Sequence, residues 1–325
     1  MEATGTTALP RLPHFDVAIA APDLAPWRAG NTGIPGFTTR DSHQPGPHVA
    51  LIALTHGNEI AGAIVLDRLL RAGLTLRHGR LTFGFANLAA FDRFDPAQPI
   101  TSRFVDEDLN RVWDADTLDG PRRSCEVDRA RQMRPLIDTV DTLLDLHSML
   151  WPSDPLILSG PTTKGRALAG RIGIPPLIVT DPGHATGPRL IDEARFTSPD
   201  TTAAAILVEA GQHWEEITVQ TTLACVAALL DDLGMVDPDP VLPLPPICPP
   251  APRFAEVTQV VTATTASFAF TQPFRGGEII RRRNTLIAMD GSTEIRTPHD
   301  NCLLVMPSLR PSRGHTAIRL ARLTG

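Results

Sequence analysis

The sequence predicts an α/β fold: a mixed, mostly parallel sheet with helices on both faces, followed by a small C-terminal all-β domain. Apolar runs of strand length alternate with amphipathic helical patterns from residue 48 to residue 233. A stretch in which half of the residues are proline interrupts this alternation at 237–252, and short alternating β patterns with glycine turns occupy 254–322. Alternating strands and helices build a helix-covered sheet, whereas successive short strands build a small sheet or barrel.

The individual elements follow from these patterns in chain order. A strand is predicted over 14–21, followed by a loop or edge hairpin rich in proline and glycine over 22–47. Further strands are predicted over 48–55, 81–86, 140–146, 155–159, 176–180 and 206–211. Helices are predicted over 58–72, 124–138, 165–172 and 214–233. The domains are therefore predicted as 1–236, a stiff proline-rich linker at 237–252, and a β domain at 253–325.

Composition narrows the class of protein. With 325 residues, 42% of them hydrophobic, the chain can bury a large core. The net charge of -6 argues against a nucleic-acid partner, and no apolar run approaches the roughly 18 residues of a membrane span. We expect a cytoplasmic protein, because no signal peptide is visible and four widely spaced cysteines read as reduced thiols. A homo-oligomer is expected only because such assemblies are common among soluble proteins, since no sequence feature indicates one.

The stretch from Val49 to Glu59 carries the first chemical signal. An apolar strand pattern ends at Leu54 and is followed by a His-Gly-Asn-Glu sequence and a helical pattern. His56 and Glu59 are three residues apart, so both side chains can point at one spot at the start of a helix. An imidazole and a carboxylate suit Zn²⁺, which in catalytic sites usually has three protein ligands. The alternative is that Asn58 caps the helix and that Glu59 is favoured there by the helix dipole.

A second strand end supplies a possible third ligand. His147 follows the apolar run 143–146, and sites in α/β sheets gather where parallel strands end. Asp145 lies two residues earlier on the same face of the strand, where it can accept the second ring N–H of a ligating histidine. The alternatives are a hydrogen-bonded core histidine and a solvated aspartate.

Four short motifs occur in a fixed order: HGNE (56–59), DLNR (108–111), DLHS (145–148) and LVEAG (207–211). Together they resemble the aspartoacylase and succinylglutamate desuccinylase family, a branch of the zinc-carboxypeptidase-like fold. No single motif is specific, but four in order, each at a predicted strand end or in a polar loop, are. The resemblance covers about residues 45–235, and the β domain is similar to the family's lid domain only in position and character.

The resemblance implies a zinc cofactor and a role for each matched residue. His56, Glu59 and His147 match the zinc ligands. Glu209 matches the carboxylate that takes a proton from water and passes it to the leaving amine. Arg103 matches the cation that polarises the scissile carbonyl and stabilises the oxyanion. The implied enzyme is a zinc amidohydrolase acting on an amide bond, with ester bonds not excluded.

The same resemblance implies how the substrate is held. Asn110 and Arg111 match the pair that binds the free carboxylate of a small substrate such as an N-acyl amino acid, and a guanidinium pairs with a carboxylate through two hydrogen bonds. Alternatively, Arg103 and Arg111 form surface salt bridges with the acidic residues 106–108. Two other functions stay open: a metallo-carboxypeptidase acting on peptides, and a metal- or ligand-binding relative without turnover.

The chain departs from the family pattern at two places. It contains no tyrosine, although relatives have one near the substrate, and 198–202 lacks the arginine that aspartoacylase has there. The second departure counts against N-acetylaspartate as the substrate. Weaker candidates for contacts to the substrate are Arg189, Arg195, His213, His299 and Asp300. The alternatives are a helix cap for His213 and a surface position for His299 and Asp300, and His184 is expected in a loop.

Overall fold

The computed structural model describes residues 15–184, 186–236 and 251–324. The strands in these ranges are β1 (Phe37–Asp41), β2 (His48–Ala53), β3 (Arg80–Phe85), β4 (Thr142–Met149), β5 (Leu156–Leu158), β6 (Leu177–Thr180), β7 (Ala204–Gln212), β8 (Arg253–Thr262), β9 (Phe268–Phe270), β10 (Ile279–Ile280), β11 (Leu286–Asp290), β12 (Thr293–Arg296), β13 (Cys302–Val305) and β14 (Thr316–Thr324). The helices are α1 (Ile60–Ala72), α2 (Leu88–Phe91), α3 (Ala115–Asp119), α4 (Cys125–Ile137), α5 (Thr163–Ile172), α6 (Ala194–Thr197) and α7 (Glu216–Asp232).

The large sheet has the strand order β1-β3-β2-β4-β7-β5-β6-β8-β14-β13-β10. Its centre, β3-β2-β4-β7, is parallel throughout, and antiparallel pairs lie mainly towards the two edges. The predicted mixed, mostly parallel sheet is thereby confirmed. β2 and β4 are buried at every position, as expected for central strands that are covered on both faces.

Helices cover both faces of the sheet, as the sequence predicts. One apolar cluster joins α1, α5 and α7 to one face through residues such as Leu66, Leu168 and Val226. The other cluster joins α3, α4 and α6 to the opposite face, for instance through Met133 and Phe196. Among the residues that the structure describes, no helix is long and apolar enough to span a membrane.

The C-terminal region is all-β, but most of it continues the large sheet. β8 pairs in parallel with β6, with Phe254 opposite Ile178, and β14, β13 and β10 follow in order. β9, β11 and β12 form a separate three-stranded antiparallel sheet. The domain boundaries remain a prediction, and residues 237–250 of the proposed linker lie outside the described ranges.

The predicted opening strand over 14–21 is wrong for its described part, residues 15–21, which form no strand. Phe15 instead packs edge-on against Trp151 and Trp214, and the Ala18 N–H donates to the carbonyl of Trp214. The segment thus packs with the apolar cluster that contains α1, α5 and α7. The edge strand of the sheet is β1, which pairs antiparallel with β3.

Asp290 holds a turn of the small sheet in place. Its buried carboxylate accepts hydrogen bonds from the backbone N–H and hydroxyl groups of both Thr264 and Thr265, at 2.6–3.0 Å. The hydroxyl bonds, with the backbone bonds adding to them, lower the pKa of Asp290 to about 2.

This pKa gives a stability test. The folded-state pKa of Asp290 lies below the value of about 3.9 for an unfolded aspartate, so its ionised form stabilises folding above about pH 4, and that contribution is lost as the pH falls towards about 2. We expect Asp290→Asn to lower Tm by a constant amount between about pH 5 and 7, and by a shrinking amount below about pH 4. Thermal unfolding followed by circular dichroism across this range measures the difference, with the exposed Glu256→Gln as control.

Candidate active site

The turn between β2 and α1 places His56 and Glu59 beyond the carboxyl end of the central strand β2. Leu54 has a φ of 60°, which turns the chain away from the strand direction, and Glu59 stands at the N-cap position of α1. Gly57 is required by close packing: a Cβ there would lie 2.4 Å from the carbonyl carbon of Ala90, too close for any side chain. Its N–H donates to the Arg103 carbonyl at 3.0 Å, so the glycine lets the next loop lie directly on this turn.

His56, Glu59 and His147 meet at one buried point. One ligand atom from each lies within 4.8 Å of the other two, and the ring centroids of the histidines are 5.0 Å apart. The Glu59 carboxylate stands between the rings: Oε1 is 2.7 Å from Nδ1 of His56, and Oε2 is 3.1 Å from Nδ1 of His147. Burial alone would raise the pKa of Glu59, but the two imidazoles outweigh it and hold the pKa well below its usual range.

Both imidazoles have a carboxylate on their far side. Nε2 of His56 is 2.9 Å from Oδ1 of Asp108, and Nε2 of His147 is 2.8 Å from Oδ2 of Asp145. The Thr55 hydroxyl donates to the other oxygen of Asp145 at 2.9 Å. Both Nδ1 atoms are thus turned to the Glu59 carboxylate. Nε2 of His56 has the hydrogen-bond partner that a ligating histidine requires, whereas Nε2 of His147 and Oδ2 of Asp145 lie close together without forming a hydrogen bond. This donor set and its second layer of carboxylates fit Zn²⁺.

Glu209 lies beside this group on the neighbouring strand. β4 and β7 are parallel, and His147 stands opposite Glu209 in their register, so the two side chains share a face. Oε2 of Glu209 is buried and makes no hydrogen bond to any described residue. Burial, reinforced by the charge of Glu59, raises the pKa of Glu209 to about 8, although His147 and Arg103 act in the opposite direction. A buried carboxyl oxygen without a partner is suited to receive a proton or a polar ligand atom.

The loop from 95 to 111 contributes Arg103, Asn110 and Arg111. Arg103 donates to Oε1 of Glu59 at 3.3 Å and to Oδ2 of Asp108 at 3.2 Å. Its guanidinium therefore lies beside the candidate metal ligands. Burial would lower the pKa of Arg103, but these two carboxylates raise it above its usual value. The amide oxygen of Asn110 accepts the Leu190 N–H at 2.9 Å. Arg111 lines the adjoining cavity, and its burial lowers its pKa to about 10.

A buried carboxylate from α4 holds that loop in place. Glu126 is fully buried and accepts the N–H groups of Val105, Asp106 and Glu107 at 2.7–3.2 Å. It also accepts the side-chain amide of Asn87 at 3.0 Å. No local sequence pattern reveals these contacts, because the partners of Glu126 lie about 20 and 39 residues away. The positions of Arg103 and Asp108 therefore depend on Glu126.

A cavity of about 650 Å³ opens onto these residues. Its lining includes the apolar side chains of Met149, Leu158 and Leu207 and several residues of the segment between 306 and 319. The C-terminal region therefore contributes to the lining of the cavity. Ser148 lies at its base, where its N–H donates to Oε2 of Glu59 and its hydroxyl lies 2.8 Å from Nδ1 of His213.

The weaker candidates divide between the cavity and other places. His184, Arg189 and His213 line the cavity, and burial lowers the pKa of His213 to about 4, so that it is neutral near pH 7. Arg195 instead donates to the Val140 carbonyl at 2.6 Å and to Asp141 at 3.2 Å. His299 and Asp300 line a separate pocket of about 670 Å³. Sequence reasoning assigned no role to Ser148, although it ends the DLHS motif, and it missed Arg319, which belongs to no motif.

Comparison with known proteins agrees with this architecture. Residues 45–233 match the model of the succinylglutamate desuccinylase/aspartoacylase catalytic domain. The chain belongs to this family. The motif resemblance of the sequence is thereby confirmed.

Relatives of the family show how far the likeness extends. An aspartoacylase from Xenopus tropicalis is 30% identical over 121 residues, which is 34% of this chain and only 37% of that protein. A succinylglutamate desuccinylase from Vibrio cholerae has a TM-score of 0.65 at 17% identity, covering 86% of this chain and 82% of the other. The product-bound ectoine utilization protein of Ruegeria pomeroyi has a TM-score of 0.61 at 16% identity, covering 89% and 88%. At these identities the solved structures share the fold.

The contacts of Glu126 predict that this member of the desuccinylase/aspartoacylase family depends on it for stability. Glu126→Ala leaves three backbone N–H groups and one amide without their acceptor, which we expect to cost about 3 kcal/mol in the free energy of unfolding. Urea unfolding measures the change. The matched control is Asp128→Asn, an exposed change in the same helical turn, for which we expect less than about 0.5 kcal/mol. Equal effects of the two variants would contradict the role of Glu126.

Proposed function

We propose that this protein is a zinc-dependent amidohydrolase that removes an N-acyl group from a small carboxylate-bearing substrate such as an N-acyl amino acid. The observation that carries the proposal is the buried group of His56, Glu59 and His147 with Glu209 beside it at the base of one cavity. Membership of the desuccinylase/aspartoacylase family supports the same reaction class. A cytoplasmic location is part of the proposal.

Each residue of the site has a task in this reaction. A zinc ion held by His56, Glu59 and His147 would acidify water and polarise the scissile carbonyl. The positive charge of a bound zinc ion would lower the raised pKa of Glu209. Its carboxylate, whose Oε2 has no partner in the described structure, then accepts the proton of the attacking water and delivers it to the leaving nitrogen. Arg103 lies at the rim of the group, where its fixed positive charge stabilises the carbonyl oxygen as that oxygen becomes negative.

Arg111 and Asn110 hold the substrate's carboxylate in this proposal. Arg111 lines the cavity and remains protonated near neutral pH despite its lowered pKa. The Asn110 amide is fixed by its bond to the Leu190 N–H, so its position is set before the substrate binds. Preset polar groups lose little freedom on binding, which favours affinity.

Two other functions compete with this one. A metallo-carboxypeptidase needs room for a peptide, whereas side chains of the segment between 306 and 319 take up part of the cavity lining. A binding protein without turnover has no use for a buried carboxyl group beside its metal ligands. Incubation of the purified protein with N-acyl amino acids and with a peptide panel separates the three functions: we expect release of free amino acid from the first set only.

Glu209→Gln tests the proton-transfer role. The amide keeps the size of the side chain but cannot accept the proton, so we expect turnover to fall by about 10²- to 10⁴-fold while bound zinc is unchanged. Amide hydrolysis and metal content by mass spectrometry are measured on the same samples. The control is Glu215→Gln, an exposed glutamate six residues along the chain. Full turnover in Glu209→Gln would contradict the assignment.

Removal of the metal tests the ligand assignment by a second route. We expect chelator treatment to abolish hydrolysis and to lower Tm, because a ligand that binds only the folded state stabilises it, and Zn²⁺ to restore both. His147→Ala removes one of three ligands, so we expect it to lose zinc and to show no rise in Tm on zinc addition. A Tm that rises equally in both proteins would place the metal elsewhere.

A further inference from the structure

His213 is a buried histidine whose ring is fixed in the wall of the cavity. Its Nδ1 lies 2.8 Å from the Ser148 hydroxyl, and its backbone N–H donates to the Met149 carbonyl at 2.9 Å. The ring also lies against that of Trp214, with the two centroids 5.2 Å apart. Because the residue is only 2% exposed, these contacts hold the imidazole in place before any substrate binds.

The other ring nitrogen of His213, Nε2, has no hydrogen-bond partner among the described residues. It is not shut off from solvent either, so it opens onto the cavity that the ring lines. Burial lowers the pKa of His213 to about 4, although Glu59 acts in the opposite direction, so the ring is neutral near pH 7. A neutral imidazole carries one N–H, and the Ser148 hydroxyl can donate to Nδ1 or accept from it. Nε2 is therefore a donor or an acceptor whose partner must come from the cavity.

An irregularity in the sheet precedes His213. In the register of β4 and β7, His147 stands opposite Glu209, and the next pair is Met149 opposite Gln212, so β7 carries one extra residue between these pairs. Such bulges re-aim side chains and are common beside active sites. His213 follows directly after this one, and it lines the same cavity as Glu209.

The two oxygens of the Glu59 carboxylate mark two sides of the metal-ligand group. Oε1 lies 2.7 Å from Nδ1 of His56, whose Nε2 is 2.9 Å from Asp108. Oε2 lies 3.1 Å from Nδ1 of His147 and accepts the Ser148 N–H at 3.0 Å. The loop before α3 therefore approaches the group from the His56 side, and the ends of β4 and β7 approach it from the His147 side.

A substrate of the proposed function would extend across both sides. Arg111 and Asn110, which hold its carboxylate in that proposal, belong to the loop on the His56 side. With the scissile amide at the metal-ligand group, the acyl group then points to the other side, where His213 stands. Residues 149–151 contribute apolar side chains to the cavity lining on this side. Nε2 of His213 thus offers a polar contact beside apolar ones.

We infer that His213 hydrogen-bonds an uncharged polar atom of the acyl group, beyond the scissile carbonyl, and so favours acyl groups that carry such an atom. The inference rests on the proposed function, which determines where the acyl group lies. A neutral imidazole beside apolar side chains suits an uncharged partner, because an ionised group would lose its hydration there without gaining an opposite charge. A hydroxyl group can both donate and accept, so it matches Nε2 in either tautomer.

Two substrates that differ in a single group test the inference. N-hydroxyacetylalanine and N-propanoylalanine have acyl groups of nearly equal size, and a hydroxyl group in the first replaces a methyl group in the second. We expect the zinc-loaded wild type to hydrolyse the hydroxyacetyl compound with a kcat/KM about tenfold higher or more, on the order of what one well-formed hydrogen bond at a buried site contributes. Because the hydroxyl group also changes the reactivity of the amide, the quantity to compare is this preference in the wild type and in the variants.

His213→Asn keeps an amide near the position of Nδ1, where it can bond to Ser148, but places no polar atom at the position of Nε2. We expect it to reduce the preference for the hydroxyacetyl compound by about fivefold or more, because the lost hydrogen bond affects that compound alone. His213→Gln places an amide near the position of Nε2 and should retain part of the preference. His43→Asn, the same substitution at an exposed histidine, is the matched control and should leave the preference unchanged.

Ligand-induced changes in Tm provide a readout that does not need turnover, measured with both compounds on zinc-loaded wild type and His213→Asn. A larger change with the hydroxyacetyl compound that disappears in His213→Asn supports the inference even if neither compound is hydrolysed, an outcome in which only the proposed function fails. A wild type without a preference in either readout overturns the inference, and it leaves the proposed function standing if both compounds are hydrolysed. An equal loss on both compounds in His213→Asn and His213→Gln also overturns it, since the ring would then serve only the fold.

Discussion

The carboxylate of Glu59 between two imidazoles is the interaction on which the site depends. Glu59 is only 2% exposed, and such a buried charge needs compensation from every side. His56 and His147 supply it at 2.7 and 3.1 Å, and the Ser148 N–H adds a hydrogen bond at 3.0 Å. These groups come from the turn after β2 and from β4, so the parallel pairing of the two strands must be in place first. The sheet is therefore the scaffold of the site.

The metal-ligand group could be predicted from the sequence because its polar residues stand where runs of buried apolar residues end. A run of apolar residues that stops at His56 marks a strand end, and Asp145 and His147 share a face because side chains alternate along a strand. The position of Glu209 beside the metal-ligand group could not be predicted in this way, because it depends on which strands are neighbours. It stands opposite His147 only because β4 and β7 pair in one register, and a single sequence does not state which strands are neighbours.

Other features were not predictable, since they join residues far apart in the chain. Glu126 organises the loop of Arg103 through backbone N–H groups, which no side-chain pattern records. From the sequence, Arg189 is a candidate for a contact to the substrate, but in the structure its guanidinium forms ion pairs with Asp181 and Asp192. The predicted opening strand is wrong for a related reason. Phe15 packs against Trp151 and Trp214, which lie far away in the chain, and the sequence pattern does not reveal such partners.

The pairing of β6 with β8 also bears on how this chain can be divided. Were the chain cut before β8, the Pro176 carbonyl would lose the Arg253 N–H that it accepts at 2.7 Å, and the edge of β6 opposite Phe254 would be left unpaired. An open strand edge of this kind recruits strands from other molecules, which leads to aggregation. The N-terminal three quarters therefore cannot be treated as an independent module, and a gene fragment ending there should yield insoluble protein rather than a simpler enzyme.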